Sequence, residues 1–417
     1  MNTSKKFLFE KISVLSALRY PRYRLYFIGT IVAINGFNLW LAAQLWHVYN
    51  LTGEPRYFAF LGMVVIGPTL ILNLFGGVAA DKLNKRYLII YTQLIAGIIM
   101  LIIAIITFTG HLDVWALIIG SAVLSAVLAF DAPSRQSIWV QFIDRKDLIN
   151  AVSLNSASWQ VTRVTGPAIG GFIISRFGIE YAYFFIAASY IFMVIILLAL
   201  KVPAMKIDKS NVIRGLREGL GFVRNNSLFL FLIGMTFFNS VFGMSFATLL
   251  PVFAEDILNV GSAGYGNLMA ISGVGALCGV MSTSYLSSNP NKGPLLISGA
   301  TLFGVTIIGF ALSTSYGLSM FIMFLIGAFN FVYMVIVVST IQSRVPDHLR
   351  GRVMGIYSMT WGLLPLGAIQ SGFIAQFTSA PFALIVGGVA VILFALGPAS
   401  FNPQIRRLKD IPANSSN

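Results

Sequence analysis

Lysine and arginine fall on alternate loops of a chain that is otherwise almost entirely apolar. That alternation constrains the fold more than any other feature. Apolar runs long enough to cross a bilayer, ~20 residues each, are read at 24–49, 56–80, 87–108, 113–132, 151–177, 180–200, 228–255, 263–285, 294–314, 317–341, 352–377 and 380–400. With the N-terminus in the cytoplasm, 25 of the 28 lysines and arginines lie on one side. They occupy the N-terminal segment, the loops after spans 2, 4, 8 and 10, the central loop and the tail. Arg56 and Arg176 lie opposite, and Arg163 lies inside span 5. This is the positive-inside pattern. It predicts an all-α membrane protein with twelve transmembrane helices and both termini in the cytoplasm.

Composition agrees. The chain is 57% hydrophobic and 10% charged, against about 25% charged in soluble domains, so no water-facing surface can be built from it. The net charge of +14 does not point to nucleic acid, because a nucleic-acid protein gathers its basic residues on one domain or stripe. The first apolar run is too long for the core of a cleaved signal, so none is expected. Cys278 is the only cysteine, which excludes a disulfide within the chain and suggests a small buried packing residue. His47, His111 and His348 show no ligand spacing, so neither a metal nor a cofactor is expected. Walker, HExxH and Gly-x-Ser-x-Gly patterns are absent, which leaves ATP drive and hydrolysis unsupported.

Five segments follow: an amphipathic cytoplasmic segment at 1–23, a six-helix bundle at 24–200, a cytoplasmic linker with an amphipathic helix at 201–227, a second six-helix bundle at 228–400 and a tail at 401–417. The halves repeat. At an offset of 201 residues Gln141 falls on Gln342, Leu148 on Leu349, Val152 on Val353, Gly166 on Gly367, and Gly171-Phe172-Ile173 on Gly372-Phe373-Ile374. Two pseudo-symmetric six-helix bundles with a mid-membrane site are a transporter plan.

After span 2 the chain reads GGVAADKLNKR. Gly77, Asp81, Lys82, Lys85 and Arg86 there resemble the cytoplasmic loop signature of the major facilitator superfamily, with Asn84 where glycine is usual. Asn tolerates a left-handed backbone better than most residues, so the departure is mild. GPAIGG in span 5 (Gly166, Pro167, Gly170, Gly171) resembles the fifth-helix antiporter signature of superfamily exporters. FDAPSRQSIWVQFIDRKDLINAVSLNS and VPDHLRGRVMGIYS are similar to the branch of enterobactin exporters and macrolide efflux proteins.

The resemblance implies a major facilitator fold and a latch. Asp81 would meet the N-terminal end of helix 11, where Arg350 and Arg352 add charge; such contacts contribute ~0.3–1 kcal/mol on a surface. The alternative is a solvated loop carboxylate balancing its basic neighbours. It also implies that spans 1, 4, 7 and 10 line a central cavity. The substrate candidates there are Asn35, Asn38, Trp40, Asn239, Phe242, Phe246, Asn330 and Tyr333. A few hydrogen-bonding groups in an aromatic wall suit a bulky amphipathic solute. The same amides could instead bond to neighbouring helices.

Arg163 lies within the hydrocarbon, where an unpaired arginine costs at least ~2.5–3.5 kcal/mol. The carboxylate read as its partner is Asp131 near the inner end of span 4, an axial gap of ~7 Å by helical rise. The pair is either structural or a switch in which Asp131 alternates between Arg163 and a proton. Gly166 and Gly170 let a neighbouring helix approach closely, and Pro167 permits a bend.

These features predict a secondary transporter of the bacterial cytoplasmic membrane, acting as a monomer in the lipid bilayer. It would export a hydrophobic or amphipathic small molecule by proton antiport. Uptake or lipid flipping on the same fold is one alternative, and a non-transporting sensor or assembly partner is another.

Overall fold

The computed structural model describes residues 16–144, 147–200, 212–286, 292–406 and 408. Most of the amphipathic segment expected at 1–23 and the first part of the linker lie outside the described residues. Those described are helical, with no strand among them. The helices are α1 (Pro21–Thr52), α2 (Arg56–Lys82), α3 (Lys85–Phe108), α4 (Val114–Ile138), α5 (Leu148–Phe177), α6 (Ile179–Ala199) and α7 (Val212–Arg224). They continue with α8 (Ser227–Ile257), α9 (Gly261–Leu286), α10 (Lys292–Ala311), α11 (Tyr316–Arg344), α12 (Asp347–Trp361), α13 (Leu364–Phe377) and α14 (Ala380–Phe401).

Among the described residues ten stretches are long and apolar enough to cross a membrane. The expected spans 5 and 11 are not among them. α5 is one continuous helix of 30 residues, but its arginines, threonines and small residues dilute its apolar character. Span 11 is broken: the chain turns at Gly362 and Leu363, whose N–H groups bond Met359 and Thr360 at 3.1 and 3.2 Å. Pro365 then occupies the first turn of α13, where its missing N–H costs nothing.

The helix starts follow local chemistry. Asp113 caps α4 by accepting from the Ala116 N–H at 2.8 Å. Asn84 caps α3, accepting from the Arg86 N–H at 3.0 Å with an extended backbone (φ −68°, ψ 111°). The left-handed rationale for Asn84 is therefore replaced by a capping one. α8 is α-helical over Ser227–Phe238 and Ser245–Val252 but takes π turns at Asn239–Gly243 and Phe253–Ile257. Each is closed by a bond five residues long, Met244 N–H to Asn239 and Leu258 N–H to Phe253, both at 2.8 Å.

The chain divides into two compact units, residues 1–47 with 67–209, and residues 48–66 with 210–417. In the first, α3 packs on α4 and α6, over a core that includes Tyr23, Ile89, Trp139, Phe142, Met193 and Leu197. In the second, α9 packs on α11, and α10 on α11 and α14. Apolar burial drives little inside a bilayer, so close backbone approach matters more. On α9, Cβ atoms added at Gly275 and Gly279 would lie 1.9 and 2.4 Å from the carbonyl oxygens of Phe324 and Ala328 on α11. At Gly327 of α11 one would lie 1.8 Å from the Ser272 oxygen. These glycines let the two helices interlock. Cys278, between Gly275 and Gly279 in the sequence, is exposed and not buried as expected.

The second unit also takes the ends of α1 and α2 that meet at residues 53–55. A Cβ at Gly62 would sit 2.5 Å from the Pro365 oxygen, and one at Gly372 would sit 2.8 Å from the Ala59 nitrogen. Tyr49 donates a short hydrogen bond to Asp256.

Candidate functional site

Asp131 stands two turns from the end of α4 and is 5% exposed. Pro133 has no N–H to give the carbonyl of Ala129. Gly76 of α2 packs at that carbonyl, where an added Cβ would come within 2.4 Å of its oxygen. The carboxylate next to this seam is fully engaged. Its Oδ2 accepts from Arg135 Nε at 2.7 Å. Its Oδ1 accepts from Thr92 Oγ1 at 3.0 Å and Gln93 Nε2 at 3.1 Å, both on α3. Tyr26 of α1 donates to the Arg135 carbonyl at 3.2 Å. Tyr26 and Tyr190 of α6 lie within electrostatic reach of both charges.

The sequence pairs Asp131 with Arg163; the structure pairs it with Arg135. Positions i and i+4 share a helical face, so Arg135 needs no reach between helices. It is hidden in the sequence because the apolar run stops at 132, whereas α4 continues to Ile138. Thr92 and Gln93 carry no sequence signal of their own. Arg163 is half-buried on α5.

Two of the latch residues make contacts of their own. Arg86 Nε and Nη2 donate to the carbonyls of Leu197 and Leu198 at 2.9 and 3.0 Å, closing the end of α6. Arg352 pairs with Glu218 of the linker helix α7, both partners exposed. Lys82 is exposed and Lys85 half-buried. Gly77 and Asp81 lie on α2, but the Asp81 side chain is outside the described residues, so the expected contact with helix 11 is too. Arg350 is exposed at the start of α12.

The fifth-helix motif meets α1. Cβ atoms added at Gly166 would lie 2.7 Å from Asn38 Cβ and 3.1 Å from the Asn35 oxygen; at Gly170, 3.1 Å from Leu39 Cγ. Pro167 and Gly171 are buried beside them. Gly367, which the 201-residue offset pairs with Gly166, is also closely packed: a Cβ there would lie 2.8 and 3.1 Å from the Val241 and Ser240 oxygens of α8.

The cavity candidates divide. Asn35 accepts from Thr165 Oγ1 at 2.6 Å and Asn38 donates to Thr162 Oγ1 at 3.3 Å, so both amides bind α1 to α5. Trp40 is buried, with Phe37 5.7 Å from it and 6.2 Å from Trp159. In the second unit Asn239 is 2% exposed, and neither of its amide atoms has a hydrogen-bond partner. Gly243 leaves room for that amide, since a Cβ there would fall 2.6 Å from Asn239 Oδ1. Asn330 donates to Met244 Sδ at 3.6 Å, and its Oδ1 is unpartnered. Phe242 stacks on Phe238 at 5.5 Å, Tyr333 lies 6.1 Å from Phe303, and Phe246 is buried.

A helical chain with ten stretches long and apolar enough to cross a membrane among its described residues is by class a polytopic membrane protein. Residues 12–417 match the family described as transmembrane secretion effector, and the chain belongs to that family, within the major facilitator superfamily. It is 24% identical over 382 residues to a staphyloferrin A transporter of Staphylococcus aureus, covering 89% of this chain and 92% of that one. It is 23% identical over 398 residues to the multidrug efflux pump Tap of Mycolicibacterium fortuitum, covering 91% and 95%. In fold it is similar to a bacterial homologue of the human lysosomal transporter Spinster, in an inward-facing, occupied form (TM-score 0.74, 14% identity, 94% and 99% covered). A D-xylose-proton symporter is also similar (TM-score 0.72, 12% identity, 92% and 99% covered). The protein is thus a secondary-active transporter of a small molecule in the bacterial inner membrane, not an enzyme.

Proposed function

We infer that the protein exports a hydrophobic or amphipathic small molecule in exchange for protons, through twelve spans arranged as two six-helix bundles with both termini cytoplasmic. The observation that carries the solute class is Asn239: a buried amide with both polar atoms unpartnered, on a π turn among phenylalanines. An unmade buried hydrogen bond costs ~1–3 kcal/mol, and a neutral donor or acceptor on an otherwise apolar solute would recover it. Asn330 Oδ1 offers a second such acceptor. Proton exchange rests on the buried carboxylate of Asp131, with Arg163 as a further charge of the same bundle. Asp81 and the helix 11 end stay as the proposed gate latch.

Export follows the secretion-effector family and the efflux pump among the sequence relatives. Uptake on the same fold is the second reading, favoured by neighbours in structure such as the xylose-proton symporter. The test is a resistance and metabolite-export screen of a deletion strain, followed by transport of the identified solute in inside-out vesicles. Accumulation in those vesicles that stops when the pH gradient is collapsed is the expected result. Accumulation only in right-side-out vesicles would establish uptake. Accumulation undiminished after collapse would remove the proton.

A further inference from the structure

The two oxygens of the Asp131 carboxylate are held by chemically different partners. A carboxylate held only for structure needs donors and nothing else. The two groups on Asp131 Oδ1 are of another kind, because each can donate or accept.

Thr92 has one hydroxyl proton and three acceptors in range: Asp131 Oδ1, Leu88 O and Ile89 O, each at 3.0 Å. It can give its proton to the carboxylate. It can equally turn the proton onto its own helix and present its lone pair to Oδ1. Gln93 turns only its Nε2 toward Oδ1, while its Oε1 is buried without a partner. A half-rotation of that amide puts the carbonyl oxygen where the NH2 now stands. On Oδ2 the situation is the reverse. Arg135 is donor-only and permanently charged, so a proton cannot settle between it and Oδ2 without breaking the pair.

We propose that Asp131 Oδ1 is a reversible proton-binding site, and that Thr92 and Gln93 form a shell that inverts when the proton arrives. The proton bonds to Oδ1, and the new O–H donates to Thr92 Oγ1 or Gln93 Oε1. The Thr92 hydroxyl swings to Leu88 O or Ile89 O. The carboxylate charge is lost while the guanidinium keeps its own, so the cluster gains one positive charge. Arg135 Nη1 is buried and unpartnered, so the guanidinium already has a donor that Asp131 does not occupy. Other titratable groups around the site are Tyr26 from α1 and Tyr190 from α6, whose hydroxyl is buried without a partner. Among the described residues α3 contributes none at the carboxylate, and α2 meets this part of α4 at Gly76. This inference rests on the proton-antiport reading and assigns its atom.

The test needs no substrate. Infrared difference spectra of the purified protein in lipid nanodiscs, taken between neutral and acidic pH, report carboxyl C=O stretching. A protonated-carboxyl band is expected in the wild type, lost in Asp131→Asn. In Thr92→Val and Gln93→Met the band is expected to move to higher frequency, further in the double variant, because the acid loses its acceptors. If Asp131→Asn does not fold, 13C-aspartate labelling shows in the intact protein that the band belongs to an aspartate, and its shift in the Thr92→Val and Gln93→Met double variant assigns it to Asp131. No aspartate band at any pH at which the helices persist overturns the proposal. So does a band whose frequency is the same in wild type and double variant. The two levels fail separately. A band in a protein whose transport ignores the pH gradient sinks antiport and leaves the site. Gradient-dependent transport with no band sinks the site and leaves antiport.

Discussion

Arg86 at the start of α3 closes the end of α6 through Leu197, its Nε 2.9 Å from that carbonyl oxygen. With Nη2 on Leu198 at 3.0 Å, one side chain satisfies two of the carbonyls that a helix end leaves open. Arg86→Met is expected to lower stability by ~1–3 kcal/mol, the scale of charged hydrogen bonds. Arg86→Lys should recover only part, since a point charge cannot reproduce the fork. Thermal unfolding in detergent orders the three proteins; a lysine variant as stable as the wild type would remove the forked contact from the account.

Gly166 and Gly170 should not behave alike. At Gly166 a new Cβ meets backbone and the stem of Asn38; at Gly170 it meets the branched end of Leu39. Overpacking costs ~1–3 kcal/mol when neighbours cannot move, so Gly166→Ala should reach that range and Gly170→Ala fall below it. Gly367→Ala, against the Val241 oxygen, should resemble Gly166→Ala. Equal unfolding temperatures for Gly166→Ala and Gly170→Ala would contradict this ranking.

The α9–α11 seam should be the least tolerant place in the second unit. Gly275→Ala and Gly327→Ala place carbon 1.9 and 1.8 Å from facing carbonyl oxygens, so helix separation is the only remedy. Loss of folded protein on gel filtration is expected for both. Gly355→Ala, with nothing within 4 Å of its new carbon, serves as the comparison and should elute as the wild type does.

Glu218 and Arg352 join the linker helix α7 to α12 through exposed side chains. Pairs of this kind are worth ~0–1 kcal/mol. Glu218→Ala should therefore leave the unfolding temperature almost unchanged, and the charge swap Glu218→Arg with Arg352→Glu should do the same. A loss well above that range would mean the pair is shielded in the membrane.

Asn239→Leu separates stability from transport. Removing an unpartnered buried amide should leave stability unchanged or raise it by up to ~1–3 kcal/mol, while transport of the identified solute falls at least tenfold. Parallel loss of both would make Asn239 a packing residue.

The sequence carried the membrane class and the repeat because both are written in bulk patterns, apolar run length and the placement of lysine and arginine. Gly166 was legible as a packing site through its spacing to Gly170, and Gly367 only as the residue that the offset pairs with it. Asp131 was legible as a buried carboxylate, but its partner was not. An apolar run marks where lipid contact ends, whereas hydrogen bonding carries the helix on to Ile138. Asn35 and Asn38 read as cavity groups, yet their bonds to Thr165 and Thr162 depend on which helix lies beside them. The Gly275–Gly279 spacing is the sequence's own signal for the close approach of α9 to α11. The π turns of α8 leave no compositional trace, since they concern how many residues a turn holds, not which ones.

Those two turns give α8 a tolerance that no other span shares among the described residues. Each holds a surplus residue, and one residue is about 100° of helical rotation. Deleting a residue inside Asn239–Gly243 can convert a wide turn to an ordinary one and keep both flanking faces in register. The same deletion in the middle of α10 would swing half the helix away from its neighbours. α8 is where this chain can lose or gain a residue and still be threaded correctly, so it is where length variation among relatives of this protein should collect.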